Sequence, residues 1–301
     1  MAGDDAGNPP AASGNPPAAS GYPPDPHLLR DLGIWLEDWR GAGREGDRAR
    51  AGLEILPPFC SSPHGVRAGV LATVADVLGG SLATRAVMPD WIATCDLVLH
   101  VFASPLEGEV VAEASVLREG RSTVVIEIAL SDARDAGALG LATLTFSRLA
   151  ARTPLQETRQ LQHHASRNES ARTEFQSAGP ALQRPLVERL GIRASDAGGL
   201  ELSLDGYLQN SIGALQGGGL ALLVDAVAEQ AAREIGREDW RANQLALHYL
   251  SPGRVGPIHA LARPLHSDAA GAVFRVEVLD RGAKDRRVAV ATATMGRLPA
   301  R

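Results

Sequence analysis

The sequence predicts an α+β protein built from two tandem copies of one unit. Each is a curved antiparallel sheet wrapped around a central helix, and the two copies meet as an intrachain pseudo-dimer. Three observations carry this. Shifting the chain by 149 positions lays residues 69–93 on 218–242 with eight of 25 positions identical, among them Asp76/Asp225, Asp90/Asp239 and Trp91/Trp240. The aligned stretch is apolar nearly all round in both copies (Val70, Leu71, Val74, Val77 and Leu78; then Leu220, Leu222, Leu223, Val224 and Val227), and a helix without a polar face has to be enclosed by other structure. Behind each helix, runs such as 124–129 and 273–278 alternate with period two, the pattern of strands with one covered face.

Taken in order, residues 1–26 hold the repeat GNPPAAS-GNPPAAS-GYPP, which buries too little apolar surface to offset its ordering entropy and reads as a disordered, dispensable tail. The first unit spans 27–150, with a helical lead-in around 27–38, a strand-like run at 51–56 and the helix from near Val70. Strands follow at 96–102, 110–117, 123–130 and 141–147. Residues 151–179, rich in Gln, Arg, Ser and Glu, read as a polar linker. The second unit, 180–299, repeats the plan with a lead-in at 181–190 and a short run at 200–204. Its helix begins near Gly219, and its strands lie at 245–250, 258–265, 272–279 and 287–295. Both copies reach a Ser-Pro after the first of these strands, Ser104-Pro105 and Ser251-Pro252, the second copy two residues shorter.

Composition narrows the function. A formal charge of −5 argues against a nucleic-acid partner, which a basic face would attract. The two cysteines, Cys60 and Cys95, make neither a disulfide framework nor a metal-ligand spacing. No apolar run is counted at the roughly 18 residues that span a bilayer, and no signal pattern opens the chain, so a cytoplasmic protein without a membrane is expected. No G-x-S-x-G nucleophile turn is present.

The second copy reads Asn210-Ser-Ile-Gly213-Ala-Leu-Gln216-Gly217-Gly218 and then Asp225. This resembles the motif of the hotdog-fold acyl-CoA thioesterases of the phenylacetate-pathway (PaaI-like) type: Asn, two residues, Gly, two residues, His-Gly-Gly, and an acid seven positions on. Gln216 stands where His is usual. The same register in the first copy gives Ser61, His64, Arg67-Ala68-Gly69 and Asp76. The family also has a Ser or Thr eighteen residues after the acid; Thr94 fits in the first copy, while Asn243 or Ala242 holds that place in the second.

The resemblance implies hydrolysis of acyl-CoA or acyl-carrier-protein thioesters at sites composed from both units, with coenzyme A entering as part of the substrate and no resident cofactor or metal. A glycine at a helix start lets a thioester carbonyl approach free N–H groups and the positive helix end, and a carboxylate held in an apolar helix can serve as base or nucleophile. Site one would join Asp76 and Thr94 to Asn210, Gln216 and Gly217. Site two would join Asp225 to Ser61 and Arg67, with its donors mostly lost. One working site per chain is expected, and a homodimer of double-hotdog chains. The alternative is a non-catalytic acyl-thioester-binding or scaffold protein whose sites have both decayed.

Overall fold

The structure, a computed structural model, describes residues 22–40, 47–61, 64–150 and 172–299. It opens with a one-turn helix α1 (Leu28–Asp31), β1 (Trp35–Arg40) and β2 (Asp47–Glu54), followed by the long helix α2 (Ala68–Val87). Four long strands come next: β3 (Trp91–Val101), β4 (Glu109–Glu119), β5 (Thr123–Asp132) and β6 (Ala138–Leu149). Short β7 (Thr173–Glu174), α3 (Leu186–Arg189), β8 (Arg193–Ala194) and β9 (Leu200–Leu202) lead to the second long helix, α4 (Gly217–Glu234). The chain closes with β10 (Arg241–Tyr249), β11 (Ile258–Ser267), β12 (Gly271–Asp280) and β13 (Arg286–Gly296).

The thirteen strands of the described residues join one sheet in the order β7-β1-β2-β4-β5-β6-β3-β10-β13-β12-β11-β9-β8. The run β2-β4-β5-β6-β3 is mirrored by β9-β11-β12-β13-β10, which is the tandem repeat expressed as topology. The halves meet where β3 pairs antiparallel with β10, from Asp96↔His248 to His100↔Gln244. Two strand edges that would otherwise be open are satisfied there. The polar stretch read as a linker ends inside the first sheet: β7 pairs with β1, and Phe175 is buried. Residues 151–171 lie outside the described residues.

Two expectations at the N-terminus need correction. The lead-in around 27–38 is helical for a single turn; Gly33, at φ 64°, ends it, and Trp35 onward pairs with β2. Of the expected tail, residues 1–21 lie outside the described residues, whereas 22–26 are built into the fold. The Arg30 guanidinium donates to the Pro23 and Pro24 carbonyls at 2.8 and 3.0 Å, and the Ala178 N–H donates to the Asp25 carboxylate at 2.8 Å. The length of α2 departs from expectation as well. Helix α2 has 20 residues and is long and apolar enough to cross a membrane by length and composition; here it is mostly buried inside the protein.

Helices α2 and α4 lie in the concave side of the sheet and cross at two equivalent glycines. A Cβ on Gly69 would meet the Leu222 Cα at 2.7 Å, and one on Gly218 would meet the Thr73 side chain at 2.5 Å. Leu222 and Thr73 are themselves 149 apart, so the contact is reciprocal about a pseudo-twofold axis. Gly69→Ala therefore has to separate two backbones, at about 1–3 kcal/mol, more than the roughly 1 kcal/mol that alanine gains inside a helix. Gly80→Ala on the same helix meets only ordinary contacts, the nearest at 3.9 Å. The first variant should lower the urea midpoint and the second should raise it. A neutral Gly69→Ala would mean that the helices do not cross this closely.

Candidate active site

The site forms where the start of α4 meets the middle of α2. Gln216 is the N-cap of α4: its side-chain carbonyl accepts from the Gly219 N–H at 2.9 Å, filling a first-turn donor that has no partner within the helix. Its amide nitrogen reaches across and donates to Asp76 Oδ2 at 3.3 Å. The Gly218 N–H also donates to the Asp76 carboxylate, and Thr94 Oγ1 donates to Oδ1 at 3.1 Å. A Cβ on Gly217 would fall 2.6 Å from Asp76 Oδ2, so only glycine leaves room for the carboxylate to lie against this helix end. Asp76, Thr94, Gln216 and Gly217, expected together from the sequence, are brought together.

Asp76 is buried, and no cation pairs with it among the described residues. Burial raises its pKa to about 6, against the opposing pull of the Thr94 and Gly218 hydrogen bonds. A carboxylate held by neutral donors alone, beside a helix N-terminus, is a base that protonates within the ordinary working range of pH.

Asn210 is placed differently from expectation. Its side-chain oxygen accepts from the N–H groups of Ile212 and Ala214 at 3.1 and 3.0 Å, and its own N–H donates to the Ala214 carbonyl at 2.7 Å. Gly213, at φ 71°, completes the turn. Asn210 therefore shapes the loop that delivers Gln216, and its carbonyl oxygen is turned back into that loop.

The mirror site is filled with charge. Arg67 occupies the N-cap position of α2, equivalent to Gln216, and its Nη1 lies 2.6 Å from Glu229 Oε2 and 3.4 Å from Asp225 Oδ2. Ser61 donates to Glu229 Oε1 at 2.5 Å, and Arg233 and Arg241 lie 2.9 and 3.7 Å from the same oxygen. Burial works to raise the Glu229 pKa, but Arg67 and its other partners outweigh it and bring it down to about 2. Burial keeps the Asp225 carboxyl raised, with Arg67 pulling against it. The predicted trio Ser61, Arg67 and Asp225 thus comes together as part of an ion-pair cluster. A bulge in β3 between Thr94 and Asp96 matches one in β10 between Ala242 and Gln244, so buried Ala242 stands where Thr94 stands in the first site.

Sequence reasoning missed Glu229 and Tyr249. Glu229 was visible as an acid one turn beyond Asp225 on the same face. Tyr249 donates to the Gly217 carbonyl at 3.2 Å, and its counterpart after the bulge is Val101. Of the chain's three tyrosines, Tyr22, Tyr207 and Tyr249, Tyr207 lies on the loop before this helix and Tyr249 bonds its first residue.

Residues 212–285, which include the start of α4 and Asp225, match the family model of the thioesterase superfamily. The fold is similar to that of an acyl-ACP thioesterase from Bacteroides thetaiotaomicron, with a TM-score of 0.56 at 12% identity over 82% of this chain and 97% of that one. A 12:0-ACP thioesterase from Umbellularia californica matches with a TM-score of 0.56 at 10% identity, over 82% and 93% of the two chains. A hot dog fold protein from Alicyclobacillus acidocaldarius gives 0.52 at 13% identity, over 82% and 92%. No curated protein matches the sequence. At these identities the likeness establishes the fold: this chain is a double hotdog.

Proposed function

We propose that this double hotdog, whose second repeat carries the thioesterase-superfamily signature, hydrolyses acyl thioesters at one composite site per chain, with Asp76 as its base. The observation that carries the reading is the contrast between the two acids. Asp76 is buried among neutral donors at a helix end, while its repeat counterpart Asp225 is tied to an arginine.

In this reading the thioester carbonyl lies at the first turn of α4, where the Gly217 N–H has no partner among the described residues. Thr94 and Gln216 fix the two Asp76 oxygens. Ionised Asp76 takes a proton from water, and the hydroxide adds to the carbonyl carbon. The oxyanion is held by the Gly217 N–H and the positive end of α4. On collapse the C–S bond breaks, and the thiolate leaves with the proton that Asp76 had taken. The products are a carboxylic acid and a free thiol. Acyl-CoA and acyl-carrier-protein thioesters share this chemistry, and the similar proteins from Bacteroides thetaiotaomicron and Umbellularia californica are acyl-carrier-protein thioesterases.

The test is thiol release from a panel of acyl-CoA and acyl-carrier-protein thioesters between pH 5 and 8. Since the ionised form acts, kcat/KM should rise with pH and level off above a midpoint near 6, the Asp76 value. Well below that midpoint it should fall about tenfold per pH unit. Tight binding of every thioester without thiol release would instead identify an acyl-thioester-binding protein.

A further inference from the structure

We infer that Tyr249 is a positioning residue of this site: its hydroxyl clamps the peptide between Gly217 and Gly218, and through that peptide it holds the Gly218 N–H on the Asp76 carboxylate. Its part in catalysis rests on the thioester-hydrolase reading above.

The first turn of α4 is Gly217-Gly218-Gly219, and glycine has less intrinsic preference for a helix than any residue except proline. Side chains are excluded at two of these positions: a Cβ on Gly217 would run into Asp76, and one on Gly218 into Thr73. Room for the carboxylate and for the crossing helix thus leaves the backbone loose where its N–H groups have to be aimed. Contacts from outside the turn have to fix it. Gln216 fixes one point by accepting from the Gly219 N–H. Tyr249 fixes another. It is the last residue of β10, partly buried against the core, and its hydroxyl donates to the Gly217 carbonyl at 3.2 Å.

The Gly217 carbonyl and the Gly218 N–H are the two ends of one peptide group. A hydrogen bond accepted at the oxygen polarises the group and strengthens donation from the nitrogen, and the Gly218 N–H donates to Asp76. The relay from Tyr249 through this peptide therefore favours the ionised acid, the form that takes a proton from water. From α4 and β3, Asp76 meets the neutral Gln216 and Thr94, and no cation pairs with it among the described residues. The titratable groups close enough for its charge to act on are two phenols, Tyr249 on β10 and Tyr22 ahead of α1. Burial and the Asp76 charge raise the pKa of both, so both stay protonated.

The repeat supports the assignment. In the mirror site the Gly69 N–H likewise donates to Asp225, but the residue equivalent to Tyr249 is Val101, which has no hydroxyl. Arg67 stands beside that acid instead. The hydroxyl is present only on the side where the acid has no arginine.

Tyr249→Phe in the full chain keeps the ring and its packing and removes only the donor. The pH midpoint of kcat/KM, near 6 in the wild type, should rise by about half a pH unit. On the plateau kcat should fall about two- to tenfold, with KM and melting temperature little changed. A titration followed by the carbon-13 signal of the Asp76 carboxyl, assigned by its disappearance in Asp76→Asn, should show the same rise without any substrate. Tyr207→Phe is the control: its hydroxyl bonds Asp31 at 2.9 Å from the same loop, so its loss should leave the midpoint near 6. A Tyr249→Phe titration that superposes on the wild type overturns the inference. An equal rise in Tyr207→Phe overturns it too, since any loosening of the loop would then move Asp76. If the wild type cleaves none of the thioesters while the carbon signal still shifts, the hydrolase reading falls and the hold of Tyr249 on Asp76 stands.

Discussion

Asp76→Asn should abolish most hydrolysis, lowering kcat by about 10²–10⁴-fold, while leaving the protein at least as stable as wild type at pH 8. The amide preserves the shape and can still accept from Thr94 or Gln216, but it cannot take a proton from water. The stability half follows from linkage. Folding raises the carboxyl from 3.8 to about 6, so the folded state holds this proton more tightly than the unfolded chain. Above pH 6 the buried charge opposes folding by roughly 2–3 kcal/mol, and this cost fades as pH falls from 6 towards 3.8. The variant's advantage in melting temperature should accordingly be larger at pH 8 than at pH 5. Part of the relief is forfeited, because the new NH2 must face a donor that the carboxylate accepted from. Full activity in this variant would remove Asp76 from the chemistry. Inactivity with a melting temperature far below wild type would make it a structural residue.

Much of the fold was legible in the sequence because the sequence states it twice. Period-two alternation placed the long strands of both copies, and a helix apolar on all sides has no stable place except inside a curled sheet. The offset of 149 related Asp76 to Asp225 and set Gln216 against Arg67 before any coordinates. What stayed hidden depended on side-chain direction or long-range pairing. Asn210 sits in a motif position but spends its oxygen on its own turn, a choice that spacing does not encode. Tyr22 follows a Pro/Gly/Ala repeat whose composition says nothing of contacts with residues more than 180 positions away, such as that of His27 with Gln209. The ambiguity between Ala242 and Asn243 needed the bulge in β10 to resolve it.

Arg67→Ala should be the most destabilising of the single substitutions considered, costing about 3–5 kcal/mol, because it strips the cation from two buried acids and leaves Asp225 uncompensated. Glu229 keeps Ser61, Arg233 and Arg241, so the damage should centre on Asp225. Adding Asp225→Asn should then recover a substantial part of the loss, a coupling that a double-mutant cycle by urea unfolding would read directly. Asp225→Asn alone should be mild in stability, since Arg67 lies closer to Glu229, at 2.6 Å against 3.4 Å. Neither change should lower kcat per folded molecule, because the cluster fills the place where a second thioester would have to lie, and Ala242 offers no hydroxyl. Equal losses of kcat in Asp76→Asn and Asp225→Asn would instead mean that both halves work. The two acids descend from one repeated position, and the residue facing each decides its fate: glutamine leaves Asp76 protonatable near neutrality, while arginine draws Asp225 into an ion-pair cluster.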